Sequence, residues 1–146
     1  LALPTTVAWH VANTIAHEVT HHALQDVYLP LWIEEGITQM MEERVTGYSA
    51  FKLDAEMMKR HRERWDHESL EMYLAGGAFS SSEDDTQELA YNLSELVVRR
   101  MLDSEPESFF AFAKSCREGQ PDAVEAFGRT EAELVLETIR GAGRRR

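Results

Sequence analysis

The chain has 146 residues, 43% of them hydrophobic and 28% charged, a balance that excludes a disordered chain and suits one domain over residues 1–146 with its own core. A net charge of -11 argues against a nucleic-acid partner, and no apolar run approaches the roughly 18 residues of a membrane span. A single cysteine, Cys116, excludes an internal disulfide and fits a reducing compartment without establishing one.

Residues 1–5 contain Pro4 and leave room for at most a stub of strand. Thr5 and Thr6 are suited to cap a helix. From Val7 the apolar positions run Val7/Ala8, Val11/Ala12, Ile15/Ala16, Val19 and Ala23, steps of three and four that predict an amphipathic helix to about Leu24. Pro30 suits the first turn of a second helix, with Leu31, Trp32, Ile33, Ile37, Met40, Met41 and Val45 as its apolar set and Gly47 as its stop. A charged third helix is expected from Phe51 to Trp65, and a loop from Leu70 to Ser82, around Gly76-Gly77 and a serine cluster. Asp84 and Asp85 precede a fourth helix, Thr86 to Leu102. Pro106 opens a fifth, to Arg117, which carries Cys116 as a buried or half-buried structural thiol. A short helix, Asp122 to Phe127, and a last one after the capping box Thr130-x-x-Glu133 complete the chain, with Arg144 to Arg146 as a frayed tail. No period-two alternation and no repeat is present. The expected fold is mainly α, about six helices, with any β-sheet subdomain truncated or absent.

Within the first helix stands His17-Glu18-Val19-Thr20-His21, a His-Glu-x-x-His pattern. Two histidines four apart share a helix face and can reach one metal ion, while the glutamate beside the first can act as a base toward water activated by that metal. A catalytic zinc takes three protein ligands and keeps one position open. The third donor is sought in Leu31-Trp32-Ile33-Glu34-Glu35-Gly36, with 13 residues between His21 and Glu35, enough for the chain to turn back beside the first helix. Glu34 and Glu35 point about 100° apart on a helix, so only one of them is expected to ligate. Gln39 and Glu42, four and seven residues after Glu35, are candidates to orient the histidine rings, against the plainer reading of an exposed polar face. His10 and Asn13 face the site from preceding turns, His10 as a lining or structural residue. His22 is expected to face elsewhere, His61 and His67 to be solvated, and the Met40-Met41 and Met57-Met58 pairs to lie in the core.

His-Glu-x-x-His followed by Trp32-x-x-Glu35-Gly36 resembles the gluzincin metallopeptidases, and more closely the small peptidase MA-like domains. These carry Pro-x-Trp-x-x-Glu-Gly after the spacer, matched by Pro30 to Gly36, and a later helix opening with tyrosine, matched by Ala90-Tyr91-Asn92. The resemblance covers most of the chain. It implies a zincin-like helical catalytic domain that holds one zinc ion on His17, His21 and Glu35. Glu18 is then the general base, and Tyr91 is a phenol that stabilises the developing oxyanion, a role consistent with its chemistry. It favours Glu35 over Glu34 as third ligand. It also implies a peptide or protein substrate. The aminopeptidases of the group carry a Gly-x-Met-x-Asn segment for the free amine. This sequence has none, so an endopeptidase is expected over an aminopeptidase.

A function of another class is a catalytically silent helical binding or regulatory module that keeps a peptidase-like zinc site. Glu18 argues against it, because a purely structural site needs no base there. The chain opens abruptly before its key helix, without a signal peptide, which raises the expectation of a soluble fragment of a longer protein. Zincins bind substrate along an edge strand ahead of that helix, and almost no sequence precedes it here. Compartment, oligomeric state and cleavage preference are not legible.

Overall fold

The computed structural model describes residues 5–83 and 85–141. The expected N-terminal strand stub, the placement of Asp84 and the Arg144 to Arg146 tail lie outside them. Among the described residues every regular element is helical: α1 Thr5–Leu24, α2 Leu31–Thr46, α3 Ala55–Arg64, α4 His67–Leu74, a 3-10 turn Gly77–Ser80, α5 Thr86–Ser104, α6 Pro106–Arg117, α7 Ala123–Phe127 and α8 Glu131–Gly141. The fold is mainly α, with eight α-helices where about six were expected.

The helix most fully enclosed is α5, which buries Leu89, Ala90, Leu93, Leu96, Val97, Val98 and Met101. Its largest contact is with α2, which in turn packs on α1. Trp32 and Ile33 from α2, Tyr73 from α4, Phe112 from α6 and Val135 from α8 close the core around it. Most boundaries follow local chemistry. Pro30 is the N-cap of α2, one residue ahead of its expected place, and its carbonyl accepts from Ile33 N at 3.0 Å and Glu34 N at 3.1 Å. Gly47 ends α2 at φ 70°, a conformation few other residues adopt without strain. Thr130 and Glu133 form the expected capping box, with Glu133 N donating to Thr130 Oγ1 at 3.2 Å and Thr130 N to Glu133 Oε2 at 2.8 Å.

Several expectations fail for identifiable reasons. Residues 70–82 are not a loop. Asp66 accepts from Ser69 N at 2.9 Å and Ser69 Oγ from Asp66 N at 2.9 Å, a compact capping box that starts α4 and buries Leu70 and Tyr73. Beyond Gly76, the 3-10 turn buries Ala78 and Phe79. The third helix starts at Ala55 rather than Phe51, because Asp54 Oδ1 accepts from Met57 N at 2.8 Å. Thr5 and Thr6 lie inside α1 instead of capping it. On α1 the valine and isoleucine stripe faces outward: Val7, Val11, Ile15 and Val19 are 44–59% exposed, and Ala16 and Thr20 are the buried pair. Met57 and Met58 are buried as expected, but Met41 is exposed.

Candidate metal centre

The site forms where α1 meets α2. Trp32, Glu35 and Gly36 follow one another along the inner side of α2, at helical steps of three and one. Trp32 is fully buried and its indole donates to Glu131 Oε1 of α8 at 3.3 Å, anchoring α2 in the core. Gly36 lets α2 approach α5: a Cβ there would stand 2.5 Å from the Ser94 carbonyl oxygen and 2.6 Å from Val98 Cγ2. Between these anchors Glu35 points toward α1, 6% exposed.

His17 and His21 project from α1 with their Nε2 atoms 3.1 Å apart, and Glu35 Oε1 lies 3.4 Å from His21 Nε2. One donor atom from each of His17, His21 and Glu35 falls within 4.8 Å of the others. The outer ring nitrogens are engaged by carboxylates. His17 Nδ1 is 2.6 Å from Glu42 Oε1, and His21 Nδ1 is 2.7 Å from Glu34 Oε1. An ionised carboxylate only accepts, so each Nδ1 carries the proton and donates it. In neutral rings both Nε2 atoms are then left with lone pairs facing each other and Glu35. Three acceptors converge with no donor between them, and Glu35 Oε2 is buried without a partner.

Such a convergence is unfavourable unless a cation or an extra proton sits within it. Zinc bonds of about 2.0–2.1 Å in tetrahedral arrangement separate neighbouring donors by roughly 3.3 Å. Two of the three separations, 3.1 and 3.4 Å, are close to that value, and the third, His17 to Glu35, lies within 4.8 Å; two imidazoles with a carboxylate are a donor set zinc accepts. In type and number these donors are compatible with zinc.

Burial pushes the His21 ring down, but the Glu34 hydrogen bond and the charges of Glu35, Glu34 and Glu18 outweigh it and hold His21 above the ordinary histidine value. Burial raises the Glu35 carboxyl above its usual range, against the pull of His21 and His17. Glu18 is exposed on α1, on the turn of the histidines. Tyr91, half-buried on α5, stacks edge-on against Phe79 with ring centroids 5.2 Å apart. Burial raises its phenol above the ordinary tyrosine value, and the Glu35 and Glu42 carboxylates raise it further, so it stays a hydrogen-bond donor.

The structure thus brings His17, His21 and Glu35 together and directs the field of Glu35 onto Tyr91. Of the candidates for orienting the rings, Glu42 reaches His17, whereas Gln39 reaches neither histidine. Glu34, the rival for the ligand position, holds the outer nitrogen of His21 instead. The signal for that role was its adjacency to Glu35: neighbouring helix positions diverge, so one carboxylate can meet the inner nitrogen and the other the outer. His10 is exposed and lies edge-on to Trp9, outside the cluster. His22 and His67 are exposed, as expected. His61 is not solvated but fully buried. Cys116 is buried, its thiol pushed up by burial to about 11, which makes it inert.

Compared with known proteins, the chain matches no family model, no curated protein and no solved structure. Among the described residues, no helix is long and apolar enough to cross a membrane.

Proposed function

We propose that the chain is a zinc-dependent metallopeptidase that hydrolyses peptide bonds, acting within a peptide or protein chain rather than from a free amino terminus. The observation that carries this reading is the convergence of two imidazoles, whose Nδ1 atoms are engaged by Glu42 and Glu34, on a Glu35 carboxyl whose Oε2 is buried without a partner. His17, His21 and Glu35 would hold one zinc ion per chain. When bound, zinc supplies a Lewis acid that polarises a carbonyl and acidifies water. Glu18 takes the proton from the attacking water and passes it to the leaving amine. The Tyr91 hydroxyl, protonated in its half-buried setting, donates to the oxygen on which negative charge develops. Glu34 and Glu42 keep both histidines in the tautomer that leaves Nε2 free. The gluzincin motif resemblance adds the peptide as substrate class.

Metal content and hydrolysis of a mixed peptide library test this. One zinc per chain is expected, and Glu18→Gln should keep the zinc while slowing hydrolysis by about 100-fold or more. Stoichiometric zinc with equal activity in wild type and Glu18→Gln would sink the peptidase reading and leave a binding module with a structural metal.

A further inference from the structure

The carboxylate that orients His17 does not stand alone. Glu42 is followed on α2 by Glu43, and Glu95 of α5 lies across from them, 3% exposed. Burial pushes the Glu95 carboxyl up, and the charges of Glu43 and Glu42 push the same way. A crowd of carboxylates between two packed helices forces them apart unless a cation intervenes. Arg99 is that cation. Its Nε and Nη2 donate to Glu95 Oε1 at 3.1 and 2.7 Å, and Nη2 also pairs with the Glu43 carboxylate. The guanidinium carbon lies 5.1 Å from the centroid of the Phe51 ring, in the segment leaving α2. One planar fork therefore joins α2 to α5 a single residue away from the group that holds His17.

We propose that Arg99 is a positioning residue of the metal centre: by clamping Glu43 to Glu95 it fixes the C-terminal half of α2 and keeps Glu42 seated on His17. The inference rests on the metal reading above. Charge and clamp predict opposite results. A positive charge near a dication weakens its binding, so if only charge mattered, losing Arg99 would tighten zinc. Loss of the clamp weakens it. Lysine keeps the charge but cannot reproduce the two-pronged geometry, which separates the two effects.

Zinc affinity of the full chain, read by competition with a chromophoric chelator, is the measurement, and it needs no activity. Arg99→Lys should weaken zinc by about tenfold, the low end of the roughly 10–100-fold seen when an orienting partner is lost. In a Glu42→Ala background, where the link to His17 is already cut, the same substitution should weaken it by less than about twofold. An unchanged or tighter affinity in Arg99→Lys overturns the proposal. So does an equal loss in both backgrounds, which would mean that Arg99 supports the fold without acting through Glu42. If circular dichroism shows Arg99→Lys unfolded, Glu43→Gln, which leaves the Arg99 pairing with Glu95 intact, replaces it in the same comparison. A wild-type chain that takes up no zinc overturns the metal reading and this inference together, whereas additivity removes only the role of Arg99.

Discussion

Each histidine of the pair uses its two ring nitrogens differently, and neighbouring carboxylates decide which does what. Glu34 takes the outer nitrogen of His21, and Glu35 faces the inner one. The two glutamates should therefore fail in different ways. Glu35→Ala deletes one of three donors, and zinc uptake at equimolar metal is expected to vanish. Glu34→Ala leaves all three donors but frees the His21 ring, so zinc affinity should fall by about 10–100-fold without loss of stoichiometry. Isothermal titration of both variants checks this, and the reverse ranking would transfer the ligand role to Glu34. Tyr91 is separable from both. Tyr91→Phe removes a hydroxyl and little volume, so zinc affinity should hold while kcat falls by about 100-fold, the scale of one oxyanion donor. An unchanged kcat would reduce Tyr91 to a packing residue against Phe79.

At the level of elements, the site depends on how closely α2 lies on α5. Gly36 has no strained backbone angle; its reason is space, since a Cβ would meet the backbone oxygen of Ser94, which cannot swing aside. Gly36→Ala should lower stability by about 1–3 kcal/mol, the usual cost of overpacking, despite alanine's better helix propensity. Displacing α2 also moves Glu35, so zinc affinity should drop with stability; urea unfolding together with chelator competition reads both. A stability rise would show that the helices can part freely. Trp32, Glu35 and Gly36 were legible as a unit through the resemblance of Trp-x-x-Glu-Gly to the gluzincin pattern, whereas the core anchor at Trp32 and the close approach at Gly36 follow from the packing of α2 on α5 and α8. Other elements were opaque for physical reasons. α4 is eight residues long, too short for periodicity to outweigh the glycines after it, and its Asp66–Ser69 box is easily lost among polar residues. The α1 stripe has helical period, but periodicity reports that a face is apolar and not what covers it. Arg99 left half a signal: Glu95, four residues before it on α5, makes an i,i+4 pair readable in the sequence, whereas Glu43 lies on α2, 56 residues away.

Across the molecule, the residue most misjudged from sequence ties three segments together. His61 of α3 accepts from the Trp65 indole at Nδ1, 3.0 Å away, and donates from Nε2 to Asn92 Oδ1 at 2.8 Å. Asn92 of α5 in turn donates to the Lys52 carbonyl at 3.0 Å, holding the segment between α2 and α3. The network needs a neutral ring, since a proton on Nδ1 would face the indole N–H. Burial pushes His61 below the ordinary value of 6.5, the Asn92 bond opposes that, and the Arg60 charge adds to it. The sign follows. Below pH 6.5 the unfolded chain takes up a proton that the folded chain refuses, so the contribution of His61 is full above that value and is lost as pH falls. The buried carboxyls Glu35, Glu95 and Glu131, raised chiefly by burial, act the other way: their contribution is present below 4.5 and is lost as pH rises through their folded values. A single pH curve therefore mixes both, and a difference isolates the histidine. Gln at position 61 can accept from Trp65 and donate to Asn92 without titrating. In metal-free buffer, wild type should lose up to about 1.4 kcal/mol more per pH unit than His61→Gln on acidification from about pH 6.5 to about pH 5.5. Parallel urea-unfolding curves over that range would mean that the ring is protonated at no cost in the folded chain, and that the Trp65 and Asn92 contacts do not hold it neutral.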